Sequence, residues 1–156
     1  MNKVHQSLVI IFIACALAGC SSMGKLLGIE QKTALRQMNV VALAGANQNS
    51  ATALDVVFIY DSNAKNLLPK SGPEWFTQKN SLLAGLATTV DVVSLQMPPM
   101  RIATDVSLPK RHKSALSVYA YANYLSVAGQ TPGNLTLFQC VQISLEPDAI
   151  SYRSCE

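Results

Sequence analysis

The sequence predicts a mainly β protein, an antiparallel β-sandwich with one or two short helices. Three observations lead there. Short runs of alternating apolar and polar residues recur, with Gly-, Pro- and Asn-containing stretches between them. No alternation of strand and long helix signals a parallel sheet. The last two runs can be paired in one register that satisfies both their apolar faces and two cysteines.

Taken in order, residues 31–37 allow a short helix ahead of a first strand at Met38–Ala44. Gly45–Ala53 is small, polar and uncharged, which reads as a solvated connection whose length can change without loss of the fold. Leu54–Tyr60 is the clearest strand. Leu54, Val56, Phe58 and Tyr60 share one face, and Asp55, Val57, Ile59 and Asp61 the other. β-Branched residues on both faces suit a strand inside the sandwich. Asp61–Gly72 reads as a loop. Pro73, after Ser71 and Gly72 and before Glu74, marks a helix start, and a two-turn helix is expected over Pro73–Asn80 with Trp75 plugging the core beneath it.

Thr88–Gln96 and Met100–Leu108 read as the third and fourth strands, separated by Pro98 and Pro99. Lys110–Lys113 is the only dense basic cluster and reads as a solvated loop. Ala115–Tyr124 is a fifth strand, dense in tyrosine. Leu135–Leu145 and Ala149–Cys155 are the last two. A turn at Pro147-Asp148 pairs Glu146 with Ala149, Leu145 with Ile150, Ile143 with Tyr152 and Cys140 with Cys155. Directly opposed residues lie about 4.5–5.5 Å apart at Cα, within disulfide reach. A Cys140–Cys155 bond is therefore expected.

The N-terminal segment carries no fold information of this kind. Lys3, the apolar run Leu8–Leu17 and the string Leu17-Ala18-Gly19-Cys20 have the three parts of a secretory signal, and the apolar run is too short to span a bilayer of about 30 Å. The pattern resembles a bacterial lipoprotein signal. It implies a diacylglycerol on the Cys20 thiol, cleavage before Cys20, and export. Ser21 and Ser22 stand where an aspartate would retain such a protein at the inner membrane, so the resemblance implies the outer membrane, periplasmic face. The expected organisation is a signal peptide at 1–19, a lipidated tether at 20–34 and a sandwich domain at 35–156. Removing residues 1–19 from the 156 leaves 137, enough for one domain and too few for two.

Composition excludes several functions. Without Lys3, eleven Lys and Arg face nine Asp and Glu, which is no nucleic-acid footprint. His112, the one histidine after Cys20, lies between Arg111 and Lys113, with no carboxylate beside it to orient an imidazole. Too few histidines and free cysteines remain for a zinc site, and no glycine motif cradles phosphate. Asp55, Asp61, Asp91 and Asp105 read as solvated carboxylates. Neither catalysis, a metal, a small-molecule substrate nor a cofactor beyond the covalent lipid is expected, which leaves a binding or structural role.

Several motifs in order complete the reading. These are the lipobox, the loop Ala46-Asn47-Gln48-Asn49, the strand Leu54–Asp61, the aromatic pair Trp75-Phe76, the run Val93–Pro99 into its prolines, and the strand Leu116–Tyr124. In this order and spacing the chain resembles the TssJ-type outer-membrane lipoproteins of bacterial type VI secretion systems. The family's usual arginine in the second strand is Phe58 here. The resemblance implies a transthyretin-like sandwich, and as partner the periplasmic domain of a TssM-like inner-membrane protein. It points to the first inter-strand loop as the contact, here Gly45, Ala46, Asn47, Gln48, Asn49, Ser50, Ala51 and Thr52. A pilotin or an assembly-factor lipoprotein of another envelope machine is the alternative.

Overall fold

The strand that reads most clearly in the sequence is also the one both layers are built on. In the computed structural model, which describes residues 30–155, β2 (Thr52–Ile59) is buried along nearly its whole length. It lies between β3 (Val90–Met97) and β5 (Ser117–Ala122), with β6 (Gly133–Asn134) beyond β5. The second sheet has the order β4–β1–β7–β8, built from Ile102–Ala103, Gln37–Ala42, Cys140–Leu145 and Ile150–Ser154. The protein is thus mainly β, with two four-stranded, largely antiparallel sheets, and Lys32–Glu156 forms one compact unit.

The alternation in β2 explains the layering. Leu54, Val56 and Phe58 point between the sheets, against Met38, Val40, Ile143 and Leu145. Val57 and Ile59 point outward, yet water does not reach them. A helix, α2 (Gly72–Leu86), covers that face and buries Trp75 with Tyr121 and Val90. The Trp75 and Tyr121 rings stack with centroids 5.0 Å apart, so Trp75 does plug a core, the one between helix and sheet.

Several expectations need correction. α2 has 15 residues, well beyond the two turns expected at Pro73–Asn80. Ser71 caps it, its Oγ accepting from the Glu74 N–H, and Leu82, Leu83 and Leu86 carry the apolar face onward. A shorter α1 (Ser62–Asn66) lies in the expected Asp61–Gly72 loop, because the Asp61 carboxylate accepts from the Asn63 and Ala64 N–H groups. No helix forms at 31–37. That segment is extended, and Leu35 enters the core. The expected strand Met100–Leu108 stops after Ala103, where Asp105 takes a positive φ and its N–H turns to the Asn39 side chain. Of Leu135–Leu145 only Cys140–Leu145 is strand, since Phe138 N–H folds back onto the Leu135 carbonyl. One pairing is parallel, β1 with β7, which an all-antiparallel reading did not include.

The final hairpin has the expected register. Leu145 faces Ile150 and Ile143 faces Tyr152. Cys140 and Cys155 are disulfide-bonded with Cα atoms 5.3 Å apart.

Candidate docking site

The sandwich has two unlike ends. β1 and β7 start, and β8 finishes, where the chain enters from Lys32. β2 finishes, and β3 and β5 start, at the same end. At the opposite end four connections meet: 43–51, 98–101, 123–127 and 146–149. The expected contact loop is the first of these.

It is not a free loop. Gly45, Asn47, Gln48 and Asn49 all have positive φ, and Ala46–Asn49 forms a left-handed turn. Asparagine tolerates that conformation because its short amide can bond locally, whereas glutamine rarely adopts it. What holds it is visible. The Asn47 and Gln48 N–H groups donate to the Glu146 and Pro147 carbonyls, each at 3.0 Å. The buried Asn47 side chain donates to Asn123 O at 3.2 Å and accepts from Leu125 N–H at 2.8 Å. Gln48 Nε2 donates to Asp148 at 3.0 Å. One asparagine therefore ties three connections into a single rigid end.

The expectation of a plain solvated connection is corrected, because the turn is bonded to two neighbouring connections. Ala46, Asn47 and Thr52 are buried and unavailable to a partner, while Gly45 and Ser50 are half-buried. Gln48, Asn49 and Ala51 remain exposed. Sequence reasoning missed what surrounds them. Leu43, Met100, Leu125 and Val127 are exposed apolar residues of the same connections, Met100 and Val127 at 79%, and Ile102 at 62% follows on β4. Met100 N–H reaches the Leu43 carbonyl at 3.4 Å. Part of the signal was there: Leu43 and Met100 stand at the ends of the expected strands Met38–Ala44 and Met100–Leu108, and Leu125 and Val127 follow the expected strand Ala115–Tyr124 outside any expected element. Behind them Tyr124 is buried and donates to the Glu146 carbonyl at 2.6 Å, and that burial raises its phenol to about 12.

The carboxylates read as solvated are mostly engaged. Asp55 is 2% exposed, accepting from Trp75 Nε1 at 2.8 Å and pairing with Lys79 Nζ at 2.8 Å. Asp91 accepts two bonds from Arg111 and one from the Tyr60 hydroxyl, and the Arg111 guanidinium holds its carboxyl below the usual range. Burial, with Asp91 alongside, raises the Tyr60 phenol. These groups fix the sheet edges and helix. Two open grooves, about 460 Å³ beside the disulfide and about 430 Å³ between Lys65–Lys70 and Tyr119, place no nucleophile beside a base. Among the described residues no three His, Cys, Asp or Glu side chains are grouped to hold a metal, and no helix is long and apolar enough to cross a membrane. The expected signal peptide at 1–19 and the expected lipidation at Cys20 lie outside the described residues.

No protein-family model and no curated protein matches the sequence. Solved structures do. The T6SS lipoprotein TssJ1 from Pseudomonas aeruginosa superposes with a TM-score of 0.59 at 11% identity, over 77% of this chain and 95% of that one. The chain has the TssJ fold. Lip from Serratia marcescens, a membrane-bound component of the type VI secretion system, gives 0.56 at 11% identity, over 81% of this chain and 99% of its own.

Proposed function

We propose that the protein is a lipid-anchored, non-enzymatic component of a type VI secretion membrane complex. Cys20 ties it to the outer membrane, and the end carrying Gly45–Thr52 docks the periplasmic domain of a TssM-like inner-membrane partner. The carrying observation is the polarity of the domain. The chain enters at one end, and a rigid turn ringed by exposed apolar residues stands at the other. Strands of six to eight residues put about 20–26 Å between the ends, enough to hold the turn clear of a membrane. The fold shared with TssJ1 and Lip supports the same reading.

Docking here would use Met100, Leu125 and their neighbours as apolar anchors, with Gln48 and Asn49 supplying hydrogen bonds around them. Neither a titrating group nor a cofactor is required. Titrating the mature protein with the periplasmic domain of a TssM-like partner tests this. Met100→Asp and Leu125→Asp should each weaken binding about tenfold or more, with melting temperatures unchanged because both side chains face solvent. Full affinity in both variants would remove this end as the docking site.

A further inference from the structure

We infer that the opposite end, where the chain enters, is a second binding surface that recognises the phosphates of an anionic phospholipid leaflet; this rests on the lipid anchor proposed above. Thr33 fixes the entry point. Its N–H donates to the Ala115 carbonyl at 2.8 Å, its Oγ1 to the Thr136 carbonyl at 2.9 Å, and the Ala34 N–H to Thr136 O at 2.8 Å. The two segments it joins carry what a lipid surface attracts. Ala115 follows the loop with exposed Lys110 and Lys113, and Thr136 precedes Leu137, which is 69% exposed. Lys32 and Arg36 flank Thr33 and are exposed as well.

The basic loop is held in place. Arg111 donates from Nε and Nη2 to both Asp91 oxygens and from Nη1 to the Thr88 carbonyl, and it lies 3.9 Å from the Tyr60 ring centroid. His112 Nδ1 is 2.9 Å from the Pro109 carbonyl. Three of the carboxylates at this end have partners within the fold, while Glu30, just before Lys32, is exposed. Asp91 is paired with Arg111, Asp61 caps α1, and Asp105 accepts from Gln37 Nε2 at 2.6 Å. Among the described residues the ion pairs are Lys79–Asp55 and Arg111–Asp91, so Lys32, Lys110 and Lys113 present unpaired cations. The docking end has a different balance, with Arg101, Glu146 and Asp148 in its connections.

A membrane is the occupant this arrangement favours. Residues 20–31 span at most about 40 Å fully extended, so a lipidated Cys20 keeps this end close to the headgroups at high effective concentration. Exposed lysines at the same end as an exposed leucine also match the cationic and apolar pattern of interfacial segments. Each lysine near an anionic surface strengthens binding about fivefold.

The test uses the mature chain carrying Cys20→Ser, so that no acyl chain contributes. It is sedimented with vesicles of phosphatidylcholine alone, and with vesicles containing about 30% phosphatidylglycerol. Partition into the anionic vesicles alone is expected, together with its loss at about 0.5 M salt. A drop of about tenfold or more is expected in Lys110→Glu/Lys113→Glu. Equal partition into both vesicles, salt-insensitive binding, or an unaffected double variant overturns the inference. The salt titration of the unsubstituted protein decides the matter should the variant fail to fold. Failure here leaves the anchor standing, since that is read separately from whether the Cys20 chain stays with the outer-membrane fraction.

Discussion

Replacing Lys79 with Met is expected to destabilise the domain by about 3 kcal/mol, read as a lower urea midpoint at unchanged slope. Asp55 is buried between β2 and α2, and Lys79 Nζ is its counter-ion at 2.8 Å. The lysine side chain is 26% exposed against 2% for the aspartate, so the loss falls mainly on the carboxylate. Removing the ammonium leaves Asp55 with the Trp75 Nε1 donor alone. Asn in place of Asp55 carries no charge and still offers Trp75 an acceptor. Asp55→Asn/Lys79→Met should therefore be clearly less damaging than Lys79→Met, the sign that a stranded charge causes the loss. A cost under about 1 kcal/mol for the single substitution would class the pair with screened surface ion pairs instead.

Gly72→Ala is expected to cost about 3 kcal/mol by overpacking, although alanine is the better helix former. A Cβ at Gly72 would fall on the Ala122 carbonyl oxygen at the end of β5, which is backbone and cannot rotate away. Nor can the helix start retreat freely. Gly72 N–H bonds to Gln130 O at 2.8 Å, and Trp75 is seated one turn further on. The fluorescence of Trp75 should shift to the red as its ring lifts from Tyr121. Gly85→Ala provides the contrast. It lies in the same helix with open space around it, so the substitution should be neutral or stabilising by up to about 1 kcal/mol. Equal effects at the two glycines would rule out the close approach as the cause.

What the sequence revealed and what it withheld divide along physical lines. Two-residue periodicity identified β2, and the apolar register of the last hairpin placed Cys140 opposite Cys155, because both depend on neighbours in the sequence or across one turn. The length of α2 was present in the spacing of Trp75, Leu82, Leu83 and Leu86 but hidden by Gly85 and the polar run before it. The burial of Asp55 was not legible, since it depends on a helix 20 residues away placing Trp75 and Lys79 above it. The candidate site was half legible. Its polar turn stood out in composition. The left-handed conformation and the neighbouring Met100, Leu125 and Val127 follow from bonds to Asn123, Leu125, Glu146 and Pro147, which only the folded chain brings near.

The central claim is that the two ends of one sandwich do separate work, membrane at one and partner at the other. Amide hydrogen exchange of the lipidated protein in phosphatidylglycerol-containing vesicles, with and without the periplasmic domain of a TssM-like partner, tests it most directly. The account predicts added protection by the partner at 43–51, 98–101 and 123–127, and none at Lys110–Ala115 or Thr136–Gln139. Partner-dependent protection centred on the chain-entry end, or on the outer edge of β3, would contradict it.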